Sequence, residues 1–238
     1  MYTCVNSLVM TEHFLFERRR GRGYGRTMTD AGQDIGDRAG GRGSRALWLD
    51  AARAAFLSGG VDAVKVQPLG AGLGLSRTSF YWFFKDRAAL LDALLEDWEA
   101  TNTAALVGST EAYASSLPEA VLNLMAVFLD ESRFMPRYET AIRGWAHRSA
   151  PVTARVNAAD DRRLGAIAAM FARFGMDAAE ADVRARTVYL VQMGYISLQT
   201  RETLDERLAR VPGYVRTFAG TSATGADLAR FRAGLGRA

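Results

Sequence analysis

Apolar residues recur with a helical period in almost every segment after residue 43. In residues 44–58 they occupy positions i, i+1, i+4, i+5, i+8 and i+9, so they share one face of a helix with 3.6 residues per turn. This face carries Leu47, Trp48, Ala51, Ala52, Ala55 and Phe56. Ser44 can cap the beginning of the helix, and Gly59 with Gly60 can end it. The pattern predicts an amphipathic first helix.

A second helix is predicted over residues 66–72, although its composition is unfavourable. Pro68 is acceptable in the first turn, but Gly70 and Gly72 each cost about 1 kcal/mol relative to alanine inside a helix. We therefore expect tertiary packing to hold this helix, with another helix crossing close to it.

A turn at Gly74 and Leu75 leads into a third helix, predicted over residues 77–84 and capped by Ser76. The inward positions of the second and third helices are Leu69, Leu73, Phe80 and either Phe83 or Phe84. The outward positions of the third helix are polar or amphipathic, namely Arg77, Thr78, Ser79, Tyr81 and Trp82. A helix of this kind fits the major groove of DNA, where short donors near its N-terminus reach base edges and phosphates.

The sequence beyond this unit is helical in pattern up to residue 220. A long fourth helix, capped by Asp86, is predicted over residues 86–107. Capping boxes predict the beginnings of three later helices, at Ser116 with Glu119, Asp177 with Glu180, and Thr203 with Glu206. Pro212 and Gly213 are expected to interrupt the last main helix.

The two ends of the chain differ from this pattern. Residues 1–43 are rich in Arg and Gly and sustain no period, which predicts a flexible arm. Its arginines could contact phosphates, whereas a solvated tail or a later translation start at Met10 or Met28 is the alternative. In the predicted tail, residues 221–238, the apolar positions indicate a small helix with Leu228, Phe231 and Leu235.

Composition and charge narrow the function classes. The 238 residues are 49% hydrophobic, which suits a globular protein, and the net charge of +4 mildly favours a polyanionic partner. No apolar run is long enough to cross a membrane and no basic signal sequence is present, so we expect a cytoplasmic protein without a membrane partner. Cys4, His13 and His147 show no metal-ligand spacing. We therefore predict no metal, no cofactor and no catalytic residues.

Two segments carry a family resemblance. Residues 51–60 read A-A-R-A-A-F-L-S-G-G, and residues 73–91 read L-G-L-S-R-T-S-F-Y-W-F-F-K-D-R-A-A-L-L. They resemble the DNA-binding domain of the TetR family of transcriptional regulators. The positions that match the family pattern are Gly74, Leu75, Ser76, Phe80, Tyr81, Phe84, Lys85, Leu90 and Leu91.

The resemblance implies an all-α fold with two domains. An N-terminal three-helix helix-turn-helix DNA-binding domain would span residues 44–92, and a C-terminal helical ligand-binding and dimerisation domain would span residues 93–220. The implied DNA-binding residues are Lys65, Val66, Gln67, Ser76, Arg77, Thr78, Ser79, Tyr81, Trp82 and Lys85. The first turn of the third helix would approach bases or phosphates, and the other positions would bind the DNA backbone.

Aromatic, Met and polar residues of the C-terminal region are the candidates for effector binding. They are Trp98, Met125, Phe128, Arg143, Trp145, His147, Phe171, Tyr189 and Gln192. The same aromatic and Met pattern also suits a plain hydrophobic core, and His147 also suits the surface, so both interpretations stay open. The last two long helices would form an intersubunit four-helix bundle, with candidate interface residues Val188, Val191, Gln192, Tyr195 and Leu208. An intramolecular core position is the alternative for each of these residues.

The leading hypothesis is a homodimeric, ligand-responsive transcriptional repressor that binds a palindromic double-stranded DNA operator and a small, partly apolar effector. Two alternatives remain. An all-α enzyme would need a convergent set of catalytic groups, for which residues 160–163 form the only dense charge cluster on a long helix. A helical interaction module without DNA binding is suggested by Gly70, Gly72 and Phe83, where the family usually has other residue types.

Overall fold

The computed structural model describes residues 43–236, and each regular element in that range is helical. The predicted all-α class is therefore confirmed, whereas the arm predicted for residues 1–43 lies outside the described residues apart from Gly43. The helices are α1 Arg45–Gly59, α2 Val66–Leu73, α3 Arg77–Phe80, α4 Arg87–Trp98, α5 Ala104–Glu111, α6 Leu117–Leu129, α7 Pro136–Ala146, α8 Ala150–Arg173, α9 Ala178–Ser197, α10 Leu204–Ala219 and α11 Gly225–Gly234. Across residues 43–236, no helix is both long and apolar enough to span a bilayer.

Side-chain caps begin several helices at the predicted positions. Ser44 accepts a hydrogen bond of 3.2 Å from the backbone of α1, and Asp86 accepts one of 2.8 Å from the backbone of α4. Thr203 forms the predicted capping box of α10, and Thr224 forms another at α11. Local hydrogen bonds therefore decide where these helices begin.

Two predicted capping boxes are only half formed. In α6 and α9 the N-cap side chain accepts the expected backbone N–H. However, Glu119 accepts from Ser115 rather than from Ser116, and Glu180 pairs with Arg184. The guanidinium of Arg184 is a charged donor and forms a stronger bond than a backbone N–H.

The third helix is shorter than predicted. It ends at Phe80 rather than at residue 84, because the next residues bond back over three positions: the N–H of Phe83 donates to the carbonyl of Phe80 at 3.0 Å. In this tighter turn the rings of Phe80 and Phe84 stack, with centroids 5.5 Å apart, and both are buried.

Two later helices also differ from the prediction. The fourth helix does not end at residue 107, because a π-helical segment, Glu99–Thr103, continues α4 into α5 as far as Glu111. Pro212 does not interrupt α10, although it lacks an N–H. The buried face of α10 continues on both sides of the proline through Leu208 and Val215, and this packing holds the helix together.

Buried apolar residues form two clusters within one compact unit. The N-terminal cluster gathers α1 to α4 around Trp48 and Phe80 and continues into α7 and α8 through Tyr138 and Val156. The C-terminal cluster contains residues of α6, α8, α9, α10 and α11, and Phe171 is among its fully buried members. Because the first cluster includes α7 and α8, the core of the N-terminal helices is shared. The domain boundary between residues 92 and 93 stays a prediction.

Close packing explains one of the glycines in α2. A β-carbon at Gly70 would lie 3.0 Å from the carbonyl oxygen of Leu75 and 3.2 Å from the ring of Trp48, so α1 crosses α2 at this point as expected. A β-carbon at Gly72 would meet nothing within 4 Å. Gly70 is therefore needed for packing, whereas Gly72 only weakens the helix.

These two glycines provide a matched pair of substitutions. Gly72→Ala should raise the free energy of unfolding by about 0.5–1 kcal/mol, because alanine favours the helix and has room. Gly70→Ala should lower the free energy of unfolding, because its β-carbon would press on Trp48 and on a backbone carbonyl. Urea denaturation measures both variants, and a Gly70→Ala protein as stable as the Gly72→Ala protein would contradict the packing argument.

Candidate functional site

α2 and α3 are joined by a tight turn at Gly74. Its φ of +66° is left-handed, a conformation that glycine adopts without strain. The N–H of Leu75 donates to the carbonyl of Gly70 at 2.8 Å and closes the end of α2. Ser76 then caps α3 by accepting from the N–H of Ser79 at 3.3 Å. The two helices therefore form a helix-turn-helix unit.

Aromatic packing and one arginine support this unit from beneath. The rings of Trp48 and Phe80 meet edge-on with centroids 5.3 Å apart, and both side chains are fully buried. Arg87, at the start of α4, donates to the carbonyl oxygens of Val61 at 2.5 Å and Val64 at 2.6 Å. The connection between α1 and α2 is thereby fixed to α4.

Most of the predicted DNA-binding residues are exposed at the surface of this unit. We call this surface the outer HTH face; its exposed members are Lys65, Gln67, Ser76, Arg77, Thr78, Tyr81, Trp82 and Lys85. Val66 is half-buried at the start of α2. Ser79 is only 2% exposed, and its hydroxyl donates to the carbonyl of Ser76 at 2.9 Å. The structure therefore does not bring Ser79 to this surface.

The outer HTH face is basic and amphipathic. The guanidinium of Arg77 donates to the hydroxyl of Tyr81 at 3.1 Å and lies 5.8 Å from the centre of its ring. Lys65 and Lys85 add two exposed cations, one before α2 and one after α3. Cations on both sides of a short exposed helix suit a phosphate backbone.

A comparison with protein families identifies this arrangement. The model of the family described as bacterial regulatory proteins, tetR family, matches residues 49–94. The match begins within α1, includes α2, the turn and α3, and ends within α4. Residues 49–94 are therefore similar to the DNA-binding region of the TetR family. The resemblance seen in residues 51–60 and 73–91 is thereby confirmed.

Individual relatives agree with this assignment. The chain is 32% identical over 111 residues to the HTH-type transcriptional repressor Rv1474c of Mycobacterium tuberculosis. The matched segment is 44% of this chain and spans only 58% of the length of that protein. The chain superposes on AmtR of Mycobacterium smegmatis with a TM-score of 0.53 and 20% identity, over 84% of this chain and 98% of that one. It superposes on the ketosteroid transcriptional regulator KstR2 of Mycobacterium tuberculosis with a TM-score of 0.54 and 16% identity, over 76% and 95%. The two solved structures share its fold.

A buried ion pair lies among the C-terminal helices. Glu139 of α7 and Arg163 of α8 are both fully buried, and their nearest charged atoms are 2.9 Å apart. The second oxygen of Glu139 accepts from the indole N–H of Trp98 at 2.8 Å and from the amide of Asn102 at 3.1 Å. Burial raises the pKa of Glu139, but the charge and hydrogen bonds of Arg163 outweigh this effect and hold the pKa at about 2.

Further charged residues extend this pair toward α9. Arg143 donates to Glu139 at 2.9 Å and to the two carboxylate oxygens of Asp160 at 3.0 and 2.6 Å. The hydroxyl of Tyr189 donates to Asp160 at 2.6 Å and accepts from Arg163 at 3.0 Å. We call the five residues Glu139, Arg143, Asp160, Arg163 and Tyr189 the buried network. Its two cations and two anions balance, as charges removed from water require.

The π-helical segment brings two polar side chains to the buried network. The hydroxyl of Thr103 accepts from Arg163 at 3.0 Å. Asn102 accepts from the N–H of Met135 at 2.9 Å while its amide donates to Glu139. A π turn shifts the register of a helix face. The buried side chains are therefore apolar in α4 but polar in the π-helical segment, where they face α7 and α8.

The predicted effector-binding residues are divided among four environments. Arg143 and Tyr189 belong to the buried network and Trp98 binds it, whereas Met125 and Phe171 lie in the C-terminal cluster. His147 is exposed, and no group of three or more His, Cys, Asp or Glu side chains in residues 43–236 could hold a metal ion. The remaining candidates line an open cleft, and they are Phe128, Trp145 and Gln192.

This cleft has a volume of about 840 Å³ and lies between the end of α1 and the helices α7, α9 and α10. Its lining includes three residues that the sequence analysis did not select as effector contacts, Phe56, Tyr195 and Arg207. We call it the junction cleft. Its members come from elements far apart in the chain, so no helical period could have joined them.

The sequence analysis also missed the buried network, although a signal was present. Arg163 lies four residues from Ala159 and four from Ile167, and both neighbours are fully buried on the same face of α8. Glu139 lies three residues before the buried Ile142. A charged residue on an otherwise apolar helix face indicates a buried partner of opposite charge.

Removal of the Glu139 charge should destabilise the protein strongly. Glu139→Gln should lower the free energy of unfolding by about 3–5 kcal/mol, because it leaves the buried charge of Arg163 without its main partner. The folded pKa of about 2 lies below the ordinary value of 4.5, so the contribution is complete above pH 4.5 and is lost as the pH falls toward 2. Urea denaturation across this range should show a smaller pH dependence in the variant than in the wild type.

The matched control is Glu96→Gln. Glu96 is an exposed carboxylate 3.8 Å from Arg45, and its substitution should change the free energy of unfolding by less than about 1 kcal/mol. Equal losses in the two variants would show that the buried pair has no special weight.

Proposed function

We propose that this protein is a transcriptional regulator of the TetR family that binds double-stranded operator DNA through the outer HTH face. The observation that carries the proposal is the exposed surface of α2, the Gly74 turn and α3, with Arg77 flanked by Lys65 and Lys85. In helix-turn-helix proteins the second helix of the unit enters the major groove and the first crosses the backbone.

The exposed residues divide into two roles. Ser76, Arg77 and Thr78 begin α3 and would reach base edges and the nearest phosphates. The backbone contacts would come from Lys65, Val66, Gln67, Tyr81, Trp82 and Lys85. Tyr81 and Trp82 are 48% and 65% exposed, which is unusual for such large rings and suits packing along a sugar–phosphate backbone. Ser79 has no direct role in this proposal because its hydroxyl bonds inside the unit.

A homodimer is proposed from an apolar face of α9. Val183 and Leu190 are 62% and 60% exposed, and they line a shallow groove together with Thr187. The neighbouring α10 exposes the small residues Ala209 and Gly213. Two copies of α9 and α10 would bury these faces in a symmetric four-helix bundle.

This interface differs from the one predicted from the sequence. Val188, Gln192 and Leu208 are at most 8% exposed within a single protomer, so they pack inside it. Val191 and Tyr195 are half-buried. The helical period of α9 was correct, and the alternative of an intramolecular core position holds for the buried residues, because α9 packs against α7, α8 and α10 of the same chain.

We further propose that the protein is a repressor released by a small molecule. The relative from Mycobacterium tuberculosis is named a repressor, which supports this direction of control. The junction cleft has the volume of a small-molecule site and a partly apolar lining. Two α3 helices about one DNA turn apart would read a palindrome, and an effector that prefers another spacing would release it. Because the proposed partner is DNA, the proposed location of this activity is the cytoplasm.

The two alternatives have less support. The all-α enzyme depended on the charge cluster at residues 160–163. In the buried network, however, Asp160 binds Arg143 and Arg163 binds Glu139, so both charges are already paired. The interaction module depended partly on Gly70, whose presence is explained by the packing of Trp48. The relatives described above are named as regulators rather than enzymes.

Operator binding is tested by gel shift with the intergenic DNA beside the protein's own gene. Arg77→Ala and Lys85→Ala should each weaken binding. The slope of the logarithm of the affinity against the logarithm of the salt concentration should become shallower by about one for each lost phosphate contact. Arg232→Ala, which removes an exposed cation from α11, is the control. Unchanged affinity in both HTH variants would contradict the proposed DNA surface.

Dimerisation is tested by sedimentation of a charged variant. Leu190→Asp should shift the protein from dimer to monomer, because it would bury an unpaired charge in the proposed bundle. Tyr113→Asp is the control, since Tyr113 is 88% exposed in the connection between α5 and α6. A Leu190→Asp protein that remains fully dimeric would place the interface elsewhere.

A further inference from the structure

The junction cleft contains an unusual cation. Arg207 of α10 is half-buried, and burial lowers the pKa of its guanidinium because the nearby charge of Glu202 only partly offsets the lost water. Its recorded contacts are the ring of Tyr195, whose centre is 4.8 Å away, and a long hydrogen bond of 3.4 Å to Gln192. By contrast, most buried or half-buried arginines of α7 and α8 form ion pairs with carboxylates at about 3 Å.

The nearby acidic residues do not neutralise this cation. Glu202 also lines the cleft, but its carboxylate pairs with Arg210 at 2.8 Å. Glu131 is exposed at the opening, together with the exposed cations Arg137 and Arg148. Among the described residues that line the cleft, the arginines therefore exceed the acids.

The opposite wall of the cleft is apolar. Phe56 of α1 packs against Trp145 of α7 with ring centroids 5.8 Å apart, and Phe128 and Ile196 add apolar surface. A ligand in the cleft would therefore meet hydrocarbon along this part of the lining and the half-buried guanidinium of Arg207 elsewhere. An amphipathic organic anion satisfies both surfaces, because its body removes apolar area from water and its charge pairs with the arginine.

We propose that the junction cleft binds an organic carboxylate with an apolar body, with its charge at Arg207 and its body against Trp145 and Ile196. The inference rests on the proposed effector-responsive function and names the effector's chemical class. Such a ligand touches α1 of the DNA-binding unit and α7, α9 and α10 at the same time. It would therefore favour one relative position of these helices and change the spacing of the two α3 helices.

Isothermal titration calorimetry of the full chain tests the proposal. The probes are decanoate, 2-naphthoate and, as a neutral counterpart, decan-1-ol. At least one carboxylate should bind with one site per protomer, and Arg207→Gln should weaken it about tenfold, or about 1.4 kcal/mol. Arg207→Lys should retain part of the affinity, and the control Arg232→Gln should bind as the wild type does. Decan-1-ol should bind the wild type and Arg207→Gln equally.

Several results would overturn the inference. They are no binding of either carboxylate at millimolar concentration, equal carboxylate affinity in the wild type and Arg207→Gln, or tighter binding of the alcohol than of decanoate. Trp145→Phe should change the ligand-induced tryptophan fluorescence, which locates the bound body independently of Arg207. A gel shift in the absence of carboxylate and alcohol separates the two proposals. If the wild type binds operator DNA but binds neither carboxylate, the proposed regulator stands and only the proposed ligand class is rejected.

Discussion

The buried pair of Glu139 and Arg163 constrains the arrangement of the helices around it. A carboxylate and a guanidinium this deep in the protein lose their hydration, which is recovered only by close pairing and further hydrogen bonds. Here the additional bonds come from Trp98 in α4, Thr103 in the π-helical segment and Tyr189 in α9. Apolar side chains tolerate sliding of one helix past another, but directional bonds do not. Four helices are therefore held in one register around this pair.

The same contacts connect the junction cleft to the DNA-binding unit. α7 supplies Trp145 to the cleft and Glu139 to the buried network, and the hydroxyl of Tyr138 donates to the carbonyl of Leu94 in α4 at 2.5 Å. At its other end α4 is fixed through Arg87 to the connection that precedes α2. A displacement of α7 would thus reach α2 and α3 through one rigid helix. This continuous set of packed and hydrogen-bonded elements could carry the proposed coupling between the junction cleft and the proposed DNA surface.

Local interactions made part of this structure predictable. The N-caps Ser44, Asp86 and Thr203 were predicted because each bond joins residues within one helical turn. The turn at Gly74 was predictable for the same reason, since a left-handed residue favours glycine. The end of α3 was not, because the stacking of Phe84 under Phe80 within the shared core decides it. Helix ends set by tertiary packing lie beyond local pattern.

The sequence by itself determined the helical class and the helix-turn-helix unit, because the determinants of both lie within short segments with a clear period. It also placed most of the outer HTH face, whose residues are close together in the chain. Only the tertiary structure decided which charged residues form close ion pairs in the core and which lack one in the cleft. Arg163 and Arg207 are indistinguishable by residue type, yet one meets a buried carboxylate and the other does not. That difference depends on which helices pack together, and the helical period of a sequence does not specify its packing partners.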